Sequence, residues 1–312
     1  MSRSTSGGAR SGRRAVVLGR TPAGRMPRFG GAAVLLCAPF ALLLLGTVLA
    51  PVAYALYLSL FTERLSGLGF SGPSRAFVAL GNYADVVTDP DFLHGVGNVA
   101  LYAVVQVPLM LGGALVVALL IDSAVARLKQ VWLLAVFLPY AVPGVIAGLI
   151  WGYLYSPDIG PISAVAPIDP LGANGILPSV VNIATWQWMG YNMIIFYTAL
   201  RTVPRELLEA ARVDGAGPMR TALSVKLPSI RPTLFVGLVF TIIGALQLFT
   251  EPLVLQSFTG AVTSTWTPSL YVYDSAFVAG DYGRAAAASV LLGLVSAVLS
   301  AVVMRISARR SR

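Results

Sequence analysis

The chain has 312 residues, of which 56% are hydrophobic and only 11% charged. Soluble domains carry roughly 25% charged residues, so this composition excludes an ordinary soluble fold and points to a polytopic membrane protein. A formal net charge of +9 would suggest nucleic acid to a soluble protein. In a membrane protein it reports orientation instead, because Lys and Arg concentrate in cytoplasmic loops, and no nucleic-acid partner is expected.

Residues 1–30 hold seven arginines and no acid, with little to bury, and are expected to form a disordered basic cytoplasmic tail. The apolar run of about 33–58 exceeds the roughly 7–15 residues of a signal-peptide core and is read as the first span, bent at Pro39 and Pro51. It carries Cys37, the single cysteine, which excludes an intrachain disulfide and a metal site built on several thiolates. Its expected role is that of a small buried hydrophobe. Residues 31–98 thus comprise one span and a polar external loop. Further spans follow at about 99–121, 131–155, 180–200, 233–255 and 285–304, and a basic tail closes the chain at 307–312. Gly112-Gly113-Ala114 in the second span permits close helix contact, and Pro139 and Pro143 mark the third. Residues 99–306 form the core membrane domain.

Six spans place both termini on one side. Nineteen of the 22 basic residues lie on that side; only Arg64, Arg75 and Arg284 lie on the other. Both termini and the 201–232 stretch are therefore expected in the cytoplasm.

Several chemistries are absent. No G-x-x-x-x-G-K-[ST] stretch occurs, and the two lysines, Lys129 and Lys226, follow no glycine-rich loop. The chain is expected to bind no ATP of its own. His94 is the single histidine, no G-x-S-x-G or H-E-x-x-H appears, and neither a catalytic residue nor a metal site is assigned. An enzyme is not expected.

The stretch from Arg201 to Pro232 interrupts the apolar pattern with a short amphipathic helix. Pro204 suits its first turn, Leu207, Leu208 and Ala211 recur at helical spacing, and Gly215 is a natural stop. Glu209-Ala210-Ala211, three residues, Gly215, nine residues and then Val225-Lys226-Leu227-Pro228 resemble the E-A-A-x3-G-x9-I-x-L-P signature loop of ABC-importer permeases, with Val in place of Ile. Asp214 and Ile230-Arg231-Pro232 add to the match. Asn82-Tyr83, Asp89-Pro90-Asp91-Phe92, Asn98, Leu138-Pro139, Trp151, Trp188 and Tyr282-Gly283 are similar to the sugar-importing branch, and the long first span resembles its maltose- and glycerol-phosphate-type first permease. One departure is Thr259-Gly260-Ala261, where many such permeases carry Gly-Gly-Pro.

The resemblance implies an all-α fold of type I ABC importer permease architecture in a bacterial cytoplasmic membrane. It implies a second homologous permease, two cytoplasmic ATPase subunits, an extracytoplasmic solute-binding protein and a sugar substrate, with ATP hydrolysed by the partners. It also assigns Glu206, Glu209, Ala210, Ala211, Asp214, Gly215, Leu227 and Pro228 to coupling with the ATPase, whereas spacing alone reads Glu206 and Glu209 as offsets to Arg205, Arg212 and Arg220 on a solvated face.

Polar residues inside spans face a bundle interior or a water-filled cavity. Phe240, Gly244, Gln247 and Glu251 share one helical face in the fifth span, and Trp188, Tyr191, Asn192 and Ile195 share one in the fourth. Aromatic faces beside amide and carboxylate groups suit a sugar, and Trp188, Tyr191, Asn192, Phe240, Gln247 and Glu251 are read as substrate-path residues. The competing readings are helix-to-helix hydrogen bonds for Asn192 and Gln247, an interfacial belt for Trp186 and Trp188, and hydration for Glu251. The rival function is a secondary transporter or channel driven by an ion gradient, marked by internal repeats with discontinuous helices and intramembrane acid or basic pairs; Glu251 is the one such acid found, and no convincing repeat is found.

Overall fold

Breaks in the apolar runs position the site; prolines stand at those breaks, at Pro139, Pro143 and Pro252, whereas Pro39 and Pro108 lie inside continuous helices. The computed structural model describes residues 31–65, 73–123, 127–165 and 168–310. The basic segment expected to be disordered, 1–30, and residues 311–312 of the C-terminal tail lie outside them. The chain divides into two units, Met1–Pro51 and Val52–Arg312. In the first, α1 (Gly31–Leu44) runs into a π-helical turn at Leu45–Leu49. Cys37 is exposed, which corrects the expectation of a buried hydrophobe. This helix is apolar on every side and buries none of its residues from Leu35 to Leu49.

After α2 (Ala50–Leu58), the second unit opens with an unexpected hairpin, β1 (Phe61–Leu65) and β2 (Pro73–Phe77). Its antiparallel register places Phe61 opposite Phe77 and Glu63 opposite Arg75, an aromatic pair and an opposite-charge pair of the kind that stabilises two-stranded ribbons. Helix α3 (Gly81–Thr88) follows. Helix α4 (Pro90–Asp122) starts well before the expected 99. The reason is local: the Asp89 carboxylate accepts from the Asp91 N–H at 2.9 Å, and Pro90 occupies the first helical position, where its missing donor costs nothing.

The expected third span is broken. Helix α5 (Lys129–Phe137) passes through a 3-10 turn at Leu138–Ala141 into α6 (Gly144–Tyr155), with a bend of 96° between the two arms. Neither Pro139 nor Pro143 can donate to a preceding turn. Val142, before a proline, is forced into extended backbone at ψ 125°. Its freed carbonyl accepts from Gln187 Nε2 at 2.9 Å, as apolar surroundings require.

Helix α7 (Ile176–Leu200) is the centre of the packing. Val180, Ile183, Met193 and Phe196 along it are fully buried or nearly so, and it lies against α4. Gly113 of α4 meets Met189 of α7 closely enough that an added Cβ would stand 3.0 Å from its sulfur, and Ala114 is fully buried, but Gly112 is exposed and meets nothing within 4 Å. Beyond α7 come α8 (Arg205–Val213), α9 (Pro218–Thr221), a π-helical turn (Ala222–Lys226) and α10 (Leu227–Ser229). The next apolar run is again split, into α11 (Arg231–Leu246) and α12 (Thr250–Leu255). Pro252 explains the split: it cannot donate to the Leu248 carbonyl and its ring would clash with it. The expected loop 256–283 contains α13 (Pro268–Tyr273) and a π-helical turn at Asp274–Val278. Helix α14 (Tyr282–Arg310) then runs through most of what was read as a tail.

Four helical segments among the described residues are long and apolar enough to cross a bilayer: Leu35–Leu58, Pro90–Asp122, Arg231–Leu255 and Tyr282–Val302. The bent pair α5–α6 makes a fifth if it is one span. Helix α7 has the length, at 25 residues, but Asn182, Gln187 and Asn192 dilute its apolar character.

Candidate substrate cavity and coupling segment

A cavity of about 460 Å³ opens between α4, the α5–α6 bend, α7 and the α11–α12 break, within the roughly 300–1,000 Å³ usual for small-molecule sites. All six residues read as substrate path, Trp188, Tyr191, Asn192, Phe240, Gln247 and Glu251, line it. The expected single helical face through Phe240, Gln247 and Glu251 is corrected, because the helix ends at Leu246 and restarts at Thr250. The break turns Glu251 back into the same space, where it is 8% exposed.

One wall is aromatic. The Tyr140 ring stacks on Tyr191 at 5.1 Å and 22°, and meets Trp188 edge-on at 5.4 Å. The stack exists because the α5–α6 bend swings Tyr140 toward α7, and Trp188 and Tyr191 remain about 40% exposed toward the cavity. Polar side chains line the cavity as well. Asn192, Thr241 and Gln106 are all buried. Gln106 donates to the Met110 sulfur at 3.1 Å, while its Oε1 is buried with no partner. An orphaned buried amide oxygen is costly, and Gln106 is one of the residues that line the cavity. Gln106, Tyr102, Tyr140 and Thr241 were missed from the sequence. Gln106 carried a signal, an uncharged polar residue mid-span, which the rule applied to the fourth and fifth spans would have found.

The second feature is the segment between α7 and α11. The Ala216 N–H bonds to the Ala211 carbonyl and the Gly215 N–H to the Arg212 carbonyl. Together they form a Schellman closure around Gly215, whose φ is +73°, the left-handed conformation glycine adopts without penalty. Pro204 stands just outside the helix, as its cap rather than its first residue. The apolar stripe divides. Leu208 packs inward with Val225 on a cluster containing Ala118, Ile121, Phe196 and Ile230; Leu207 and Val213 are exposed, at 48% and 88%. Glu206, Glu209, Ala210, Asp214, Gly215 and Pro228 are likewise exposed, while Ala211 and Leu227 are half-buried. At the base of this segment Lys226 Nζ pairs with Asp122 Oδ2, both largely buried.

A third polar group joins α4 to α13 and α14. Asp89 Oδ2 accepts from the Tyr271 hydroxyl at 2.8 Å and pairs with Arg284 at 2.9 Å. Burial alone would raise the Asp89 pKa; the Tyr271 hydroxyl, the backbone N–H of Asp91 and the Arg284 charge together bring it below its ordinary value. Burial, and then the Asp89 hydrogen bond, raise that of Tyr271.

Residues 114–312 match a family described as binding-protein-dependent transport system inner membrane component. The chain belongs to this family of transport permeases. It is 31% identical over 283 residues to the sulfoquinovosyl glycerol transport system permease protein of Agrobacterium fabrum, covering 88% of this chain and 89% of that one. It is 32% identical over 284 residues to the lactose transport system permease protein of Rhizobium radiobacter, covering 85% and 90%. Among solved structures, a chain of a bacterial ABC transporter for import of the acidic polysaccharide alginate superposes with a TM-score of 0.76 at 19% identity, over 90% of this chain and 96% of that one. That likeness is one of fold. The family match contains both the 205–229 segment and most of the cavity lining.

Proposed function

We infer that the chain is a membrane-spanning subunit of an ATP-driven, binding-protein-dependent sugar importer, multi-pass in a bacterial cytoplasmic membrane. It crosses the membrane six times with both termini in the cytoplasm. The α5–α6 pair counts as one bent span, and α7 as another whose polar side chains face protein and cavity rather than lipid. Its partners are a second homologous permease, two ATPase subunits that hydrolyse the ATP, and an external solute-binding protein; this chain holds no cofactor. The residues of α8, with Asp214, Gly215, Leu227 and Pro228, dock the ATPase, with Leu207 and Val213 offering apolar contact and Glu206 and Glu209 polar contact. That relatives are named for the transport of lactose and of sulfoquinovosyl glycerol supports a carbohydrate cargo.

The observation that carries the reading is the cavity lined both by the Tyr140, Trp188 and Tyr191 rings and by the Gln106, Asn192 and Gln247 amides. Sugars present apolar C–H faces to rings and hydroxyls to amides, and both chemistries are available there. The test is import of radiolabelled saccharides into vesicles holding the complete set of subunits. Import is expected to require the ATPase, and Trp188→Ala to lower it about ten-fold, the equivalent of about 1.4 kcal/mol, with unchanged membrane content. Import by this chain alone, driven by an ion gradient, would favour the channel or secondary-transporter reading.

A further inference from the structure

The ion pair between Asp122 and Lys226 is used by neither the cavity nor the docking face. It spans 104 residues of sequence and joins the last residue of α4 to the end of the π-helical turn before α10. Its side chains are only 11% and 17% exposed. A carboxylate in the last turn of a helix faces the negative end of the helix dipole, and α4 has no basic residue in that turn to offset it. Asp122 therefore relies on a cation from elsewhere in the chain, and Lys226 supplies it.

The coupling segment already rests on α4 and α7 through Leu208, Val225 and Ile230. Apolar contact is non-directional and lets one surface slide over another. A charge-assisted hydrogen bond fixes register. Of the two helices under the segment, α4 is the one gripped in this way, and it also carries Tyr102, Gln106 and Met110 into the cavity. Gln106 stands 16 residues from Asp122, about 24 Å along the helix at 1.5 Å per residue.

We propose that the Asp122–Lys226 pair is the tie through which movement of the 205–229 segment is delivered to α4, and so to the Gln106 wall of the cavity. Lys226 and Asp122 are positioning residues: they touch neither cargo nor ATPase, and they set whether α4 follows the docked segment or slips beneath it. The inference rests on the functional reading above.

The test uses the whole transporter, this chain with its second permease, ATPase and binding protein, reconstituted in vesicles where ATP hydrolysis and import are measured together. Asp122→Asn and Lys226→Gln are expected to retain the ATPase and hydrolyse at least half as fast as the wild type, while solute imported per ATP falls about ten-fold. Lys226→Arg keeps the charge and is expected to keep the ratio. The swapped double variant Asp122→Lys with Lys226→Asp is expected to recover most of it, even where a single variant inserts poorly. Single variants with the wild-type ratio, or a swap no better than the singles, would overturn the proposal. A wild-type chain that fails to retain the ATPase would overturn instead the functional reading on which it stands.

Discussion

Gly215 holds its backbone at φ +73°, and a Cβ built there meets nothing of this chain within 4 Å. Any side chain therefore suffers the same penalty, about 1–2 kcal/mol for left-handed backbone, and no packing penalty within the subunit. Gly215→Ala and Gly215→Trp are expected to melt together when the isolated chain is heated in detergent. In the assembled transporter the Trp variant is expected to import at least ten-fold less than the Ala variant, the excess reporting the surface docked against the loop. Equal import would place that surface elsewhere. Asp89 makes a prediction in pH. Its folded pKa lies below the ordinary 3.8, so its bonds to Tyr271 and Arg284 contribute in full above that value and are lost as pH falls through the folded one. Asp89→Asn is expected to lower stability by about 1.5–3 kcal/mol at neutral pH. The gap in melting temperature should stay level above the ordinary carboxylate range and close in acid below it.

Elements in this chain meet where side chains are missing. A Cβ on Gly190 of α7 would lie 2.1 Å from the Val136 carbonyl and 2.8 Å from the Phe137 Cα of α5, both backbone atoms that cannot rotate away. Gly190→Ala is expected to destabilise the chain by about 1–3 kcal/mol through overpacking, read as a lower unfolding midpoint, because α7 must lift off the arm that delivers Tyr140. That contact was invisible in the sequence, where Gly190 is one glycine among 31. The helix before Gly215 was the most legible element, since its apolar spacing is local and Gly215 is a local stop. The helix breaks were half legible. Pro139 and Pro143 announced a disturbance but not a 96° bend, and Pro252 was passed over although it splits the fifth apolar run. Of the cavity, Trp188, Tyr191 and Asn192 on α7 and Phe240 on α11 were found by one-face periodicity, whereas Thr241, next to Phe240, was not. Tyr140 was not, because a bend rather than a period brings it there. Gln106 was missed because the second span was read for its small residues alone.

At the scale of the molecule, α4 is held at both ends. Asp89, capping its first turn, is bound to Tyr271 and to Arg284 near the start of α14, and Asp122, its last residue, is bound to Lys226. Between them run 33 residues, about 50 Å of helix at 1.5 Å per residue. The hydrocarbon layer of a bilayer is roughly 30 Å thick. Lipid therefore covers only part of the helix when upright, and a free helix would answer a thinner or thicker membrane by tilting. This one cannot tilt without drawing on an ion pair. The length of the lipid tails, and not only the state of the subunits, is then expected to load the two ties.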